Sequence, residues 1–134
     1  MDGRGQFRFS YFTPRYEETR AFFRDGLELP VIEAWERGID DRGTLFSVAS
    51  GIIQVLALPR GSSTYLFDPR PPQGAFLVIE VENAREALAA AEGKGLPVKE
   101  GLKDQPWGHR SYCLTEPNGL VLYFYEQLPR PAYA

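Results

Sequence analysis

The chain has 134 residues, 43% hydrophobic and 25% charged, enough for one domain with a sizeable core, since chains of roughly 150 residues bury about 70% of their unfolded surface. Its net charge of -3 provides no basic footprint, which argues against nucleic acid as a partner and permits a cationic small molecule. Cys113 is the one cysteine, Met1 to Phe12 carry no basic-then-apolar leader, and no apolar run nears the ~20 residues of a membrane helix, so a cytoplasmic protein with no disulfide and no membrane partner is expected.

In chain order, Phe7 to Phe12 is aromatic and β-favouring and is closed by Pro14, which predicts a strand. Tyr16, Thr19, Phe22, Phe23 and Leu27 follow at three- and four-residue spacings, one apolar stripe of a helix over Tyr16 to Leu27. Gly26 and Pro30 supply its stop signals. Val31 to Glu36, Gly43 to Ser50 and Ile52 to Leu58 read as short strands, with turn chemistry at Gly38-Ile39-Asp40-Asp41 and Ala49-Ser50-Gly51. The first half is βαβββ.

Pro59 to Gly74 is rich in proline and reads as a connector, in which Tyr65-Leu66-Phe67 is expected to lie against something apolar. Ala75 to Val81 is a strongly apolar strand, and Ala84 to Glu92 an alanine-rich helix with Leu88 inward and Asn83 as its N-cap. Gly93, Gly95 and Pro97 end it. Val98 to Leu102, His109 to Thr115 and Leu120 to Glu126 complete the strands, and Glu116-Pro117-Asn118-Gly119 marks a hairpin, because Asn-Gly tolerates the positive backbone angles of a tight turn. The second half is again βαβββ. Leu29-Pro30-Val31-Ile32-Glu33 recurs as Leu96-Pro97-Val98-Lys99-Glu100 at the same place in the second half, so one unit is used twice. The expected organisation is a single domain, 1–134, of two modules, 6–58 and 75–127, joined by the connector 59–74. Each helix covers one face of a four-stranded sheet and leaves the other needing cover, which predicts a concave cup between the sheets.

Duplicated βαβββ halves resemble the vicinal oxygen chelate superfamily, which includes glyoxalase I, extradiol dioxygenases, and fosfomycin- and bleomycin-resistance proteins. The resemblance covers nearly the whole chain. Trp107-Gly108-His109-Arg110 followed by Glu116-Pro117-Asn118-Gly119 looks like the W-G-x-R and D-P-x-G that close the second half of many members, with Glu in place of Asp. Phe22-Phe23-Arg24-Asp25-Gly26-Leu27 is similar to the family's F-Y-x-x-x-L helix ending. The implied fold class is α+β, the glyoxalase/bleomycin resistance fold. Metal-dependent members place His, Glu or Gln ligands on the first, fourth, fifth and eighth strands. Matched to this sequence, those positions hold Arg8, Gln54, Phe76 and Tyr123. A permanent cation, a ring without lone pairs, a carboxamide and a neutral phenol make a poor divalent site, which needs about three imidazole, thiolate or carboxylate ligands. No metal and no other cofactor is expected.

Period-2 alternation puts Arg8, Ser10 and Phe12 on one face, with Ile52, Gln54 and Leu56, then Phe76, Val78 and Glu80, then Tyr123 and Tyr125. Such a set suits a largely flat organic ligand. The candidate ligand-binding residues are Arg8, Ser10, Trp35, Gln54, Phe76, Glu80, Trp107, Tyr123 and Tyr125; no catalytic residue is assigned. Alternatives stand beside them: the aromatics as core filling, Arg8 paired with Glu80, the tryptophans as surface packing or dimer contacts, and lone His109 as a surface or structural residue without an evident partner. The favoured function is a metal-free small-molecule-binding protein that sequesters an aromatic or amphipathic ligand, as in the bleomycin-resistance branch and in antibiotic resistance. The alternative is a metal-dependent lyase, isomerase or dioxygenase with displaced ligands such as His109 with Glu80 or Glu126. The resemblance also implies a homodimer.

Overall fold

A computed structural model describes residues 5–60 and 70–129, so Tyr65-Leu66-Phe67 lies outside the described residues. The chain forms two compact units, Met1–Gln73 and Gly74–Ala134. The first contains β1 (Arg8–Thr13), α1 (Tyr16–Ala21), a π-helical turn (Phe22–Gly26), β2 (Val31–Glu36), β3 (Arg42–Val48) and β4 (Gly51–Ala57). The second contains β5 (Phe76–Glu80), α2 (Ala84–Gly93), β6 (Val98–Asp104), β7 (His109–Thr115) and β8 (Val121–Gln127). Strand order is β1-β4-β3-β2 in one sheet and β5-β8-β7-β6 in the other, each with one parallel pair, β1 with β4 and β5 with β8. This is the α+β fold of two repeated modules that the sequence predicts.

In the first unit the helix supplies the bulk. Its stripe buries Tyr16, Thr19, Phe22 and Phe23, and Phe23, wholly inaccessible, meets Phe22 edge-on at 5.2 Å and Phe46 of β3 at 5.5 Å. Tyr11, Ile53 and Val55 complete this core from β1 and β4. Each such side chain contributes about 1.5 to 3 kcal/mol on burial. The hydroxyls carried in with it find partners: Tyr16 with Thr44 Oγ1 at 2.6 Å, and Thr13 Oγ1 with Thr19 Oγ1 at 3.4 Å and the Arg15 N–H at 2.8 Å. That satisfies groups whose isolation would cost about 1 to 3 kcal/mol each.

The end of this helix differs in detail from the sequence expectation. Leu27 N–H reaches back to Phe22 O at 2.9 Å and Leu29 N–H to Phe23 O at 3.0 Å, so Gly26 is used up inside a widened turn. Glu28, at φ 56°, takes the left-handed conformation that a glycine normally fills.

In the second unit the distribution is reversed. α2 buries only Ala84, Leu88 and Ala91, and the sheet answers with Tyr112, Leu114, Leu122 and Phe124, the two rings stacked at 5.0 Å. Asn83 caps α2 as predicted, its Oδ1 accepting the Glu86 N–H at 3.0 Å, and Glu126 Oε1 accepts the Ala84 N–H at 3.0 Å. Two free N–H groups of the first turn are thereby satisfied by oxygens, one of them charged, which the helix dipole favours. Glu116 is 2% exposed. Its carboxylate accepts the backbone N–H and the side-chain amide of Asn118 and the Leu120 N–H, shaping the turn that Gly119 closes at φ 90°.

The repeated Leu-Pro-Val has one job in both units. Pro30 O accepts the Ser47 N–H at 2.9 Å, and Pro97 O accepts the Thr115 N–H at 3.1 Å. Each repeat thus stitches the strand after the helix to the next one. The predicted strand after Pro97 runs further than Leu102, to Asp104, because two register shifts let β6 continue along β7.

Candidate functional site

Each sheet has a face turned from its helix, called open below. In the first unit the register β1-β4-β3-β2 builds this face as rows. One row runs Phe12, Leu56, Gly43, Trp35; the next runs Ser10, Gln54, Leu45, Glu33; a third begins Arg8, Ile52, Ser47. The face grades from apolar at the end of β1 to a guanidinium at its start.

Ser10 Oγ donates to Gln54 Oε1 at 2.9 Å and Arg8 Nη1 reaches the same oxygen at 3.4 Å, while Arg8 Nε donates to Gln6 Oε1 at 2.7 Å. Two donors therefore occupy the carboxamide oxygen that would have to bind a cation. The amide NH2 of Gln54 remains as a donor toward a guest. Beside them a cleft of about 450 Å³ is lined by Phe9 to Phe12, Leu56 and residues 70–73, a size within the range of small-molecule pockets.

Trp35 sits differently from a free stacking surface. Its indole lies on Gly43, where any β-carbon would collide with Cζ2, and it donates to Asp41 Oδ1 at 3.1 Å beneath the Arg37 guanidinium, 5.6 Å from the ring centre. Gly43 is the small residue that makes this packing possible. Glu17, Glu18 and Asp41 are exposed, Asp40 is half-buried, and all four are engaged in ion pairs, Glu17 with Arg20 and Arg42, Glu18 with Arg15, Asp40 with Arg60, Asp41 with Arg37. The Arg37 guanidinium holds the Asp41 carboxyl below its ordinary value, and the Arg60 backbone N–H does the same for Asp40.

The open face of the second unit is aromatic. Its rows pair Phe76 with Val121, Val78 with Tyr123 and Cys113, and Glu80 with Tyr125, Ser111 and Lys103. Phe76 and Val78 are 60% and 55% exposed, unusual for side chains on an apolar strand. Tyr125 carries the His109 ring stacked flat on it, 3.9 Å between centres and 15° between planes. His109 Nδ1, the Tyr123 hydroxyl and Trp107 Nε1 form a closed triangle: 3.1 Å from Nδ1 to the hydroxyl, 3.2 Å from the indole nitrogen to Nδ1 and 3.3 Å from it to the hydroxyl.

The single indole N–H faces both Nδ1 and the Tyr123 hydroxyl, so the three polar atoms close on one another. His109, without an evident partner in the sequence, is thus the centre of a four-ring cluster with Trp107, Tyr123 and Tyr125. The signal was in the chain: counted outward from the Glu116 to Gly119 turn, His109 falls opposite Gln127 and beside Tyr125. Gln105 Nε2 donates to Ser111 Oγ at 3.0 Å and fixes the loop that presents Trp107. Burial pushes the Cys113 thiol up from its ordinary value, with the Glu100 charge adding to the effect, so it is a poor nucleophile at neutral pH.

The structure therefore places Arg8, Ser10 and Gln54 together, and Trp107, Tyr123 and Tyr125 together, with Phe76 and Glu80 on the same face as the second group. Glu126 belongs elsewhere. As a possible displaced metal ligand it fails, because its carboxylate serves the α2 N-terminus on the other face of the sheet. Among the described residues no three His, Cys, Asp or Glu side chains gather to hold a metal ion.

Comparison with known proteins accords with the fold. The sequence profile of the Glyoxalase/Bleomycin resistance protein/Dioxygenase superfamily matches residues 5–124, and the chain belongs to that superfamily. No curated protein matches by sequence. Among solved structures, TioX from Micromonospora sp. ML1 is 14% identical with a TM-score of 0.76, covering 93% of this chain and 100% of that one. TnmS3, an antibiotic binding protein from Streptomyces sp. CB03234, is 18% identical with a TM-score of 0.70, covering 95% and 98%. A lactoylglutathione lyase from Agrobacterium tumefaciens is 15% identical with a TM-score of 0.63, covering 94% and 96%. At these identities the likeness is one of fold, which binders and enzymes share. No helix among the described residues is long and apolar enough to cross a membrane.

Proposed function

We propose that this superfamily member is a metal-free binding protein that holds a small aromatic or amphipathic molecule, as a cytoplasmic homodimer. The observation that carries the reading is the fate of the four positions that resemble metal ligands. Arg8 is a fixed cation, Gln54 has its oxygen occupied by Ser10 and Arg8, Phe76 has no lone pair, and the Tyr123 hydroxyl is engaged with Trp107 and His109. The first unit's open face offers an oriented amide and the second unit's a cluster of rings, chemistry suited to directed hydrogen bonds and to stacking.

Sequestration needs affinity alone. Micromolar binding is about -8 kcal/mol, within reach of a few ring contacts and one aimed polar contact. TnmS3 is an antibiotic binding protein on the same fold, which supports including antibiotics of planar build among the ligands tested. The experiment is a thermal-shift screen with planar drugs and metabolites, read with and without added divalent metal. Stabilisation by a subset of planar compounds, unchanged by metal, is expected. No shift by any of them, or shifts that appear only with metal, would contradict it.

A further inference from the structure

The open face of the second unit carries two carboxylates in register, Glu80 next to Tyr125 and Glu100 two strands from Tyr123, and Glu80, the nearer to the rings, is unspent. Glu80 pairs in register with Tyr125, the residue on which His109 stacks. It is exposed and makes no ion pair or hydrogen bond with any described residue. The nearest cation of the same row, Lys103, stands two strands beyond Tyr125, about 10 Å away at the usual strand spacing. Glu80 lies one strand from Tyr125 on the other side, about 5 Å.

The rings themselves are electron-rich: an indole and two phenols, with negative π faces. Trp107 is 57% exposed, so a guest has access to an indole as well as to the edge of the Tyr125 stack. The His109 Nδ1 is engaged with Trp107 and Tyr123, and its ring covers one face of Tyr125. On these grounds we infer that the second unit's open face selects planar cationic heteroaromatic ligands. The ring stacks on the exposed Trp107 indole at the edge of the His109–Tyr125 stack, and Glu80 serves as its counter-ion. A neutral ring gains the stacking but not the charge, and an anionic ring meets Glu80 as a like charge. The acidic chain, at net -3, adds a weak pull of the same sign.

This inference rests on the proposed binding function, and the test separates the two. One ring skeleton in three charge states serves as probe: 9-aminoacridine as the cation, acridine as the neutral ring and acridine-9-carboxylate as the anion, titrated by calorimetry at mildly alkaline pH. The cation is expected to bind about tenfold more tightly than acridine, the worth of a partly desolvated cation–π and ion-pair contact. Glu80→Gln is expected to shrink the ratio of 9-aminoacridine to acridine affinity by most of that factor, the ratio within one variant being the readout. Trp107→Ala is expected to weaken all three. If acridine or its carboxylate binds as tightly as the cation, or if Glu80→Gln changes nothing, charge selection is overturned while ligand binding stands. If none of the three binds, both readings fall.

Discussion

The two units share one plan and invert its chemistry. In the first, α1 and its π-helical turn carry the large side chains and the open sheet face is graded, Arg8 at one end and Phe12 with Leu56 at the other. In the second, α2 is half alanine, the sheet carries the bulk, and the open face holds rings and acids. Duplication therefore preserved what the backbone requires, the strand order and the Pro30 and Pro97 stitches, and left the side chains on both faces free to diverge. The covered faces diverged under a volume constraint, large against small in opposite senses. The open faces had no such constraint and came to differ in charge.

The largest expected effect tests where the bulk resides. Phe23→Ala should cost about 3 to 5 kcal/mol and Leu88→Ala nearer 2, measured by urea unfolding, because an aromatic wedge leaves the greater void. Equal costs would mean that the two helices carry similar shares of their cores. Next, Glu116→Ala should cost about 1 to 3 kcal/mol by stranding the N–H groups of Asn118 and Leu120, with no counterpart at the Ala49-Ser50 turn of the first unit. Gly43→Ala should cost a similar ~1 to 3 kcal/mol by displacing the Trp35 indole, and the indole's fluorescence should shift toward that of a solvated ring.

An alkaline pH effect is expected from the second unit. Burial raises the Tyr112 phenol from its ordinary 10.0 to about 12. The unfolded chain therefore ionises first, and stability present below pH 10 falls as pH rises toward 12. Tyr112→Phe should flatten that alkaline loss in urea titrations run across this range. The smallest effect sharpens the turn comparison: Ala49, at φ 48°, should accept glycine with a gain of about 0.5 to 1 kcal/mol, whereas Gly119, already at φ 90°, should lose stability on conversion to alanine.

Much of the fold was legible because its signals are local. The stripe Tyr16, Thr19, Phe22, Phe23, the Asn83 cap and the Asn118-Gly119 turn each follow from spacing or backbone preference within a few residues. The repeat then supplied the topology. What was not legible depends on register and on competition between partners. A π-helical turn moves the left-handed residue from Gly26 to Glu28, which no spacing rule anticipates. His109 read as solitary because its partners Tyr123 and Tyr125 lie across a hairpin, although counting from the turn brings them together. Glu126 read as a possible ligand because sequence does not reveal that α2 begins beside it.

The central proposal is that Arg8, Gln54, Phe76 and Tyr123, which stand where the sequence resembles the superfamily's metal ligands, do not assemble a divalent site. Its most direct test is the metal content of protein purified without chelator, measured by plasma mass spectrometry after dialysis against metal-free buffer. The account predicts no stoichiometric divalent ion. One zinc, iron or manganese retained per chain would contradict it.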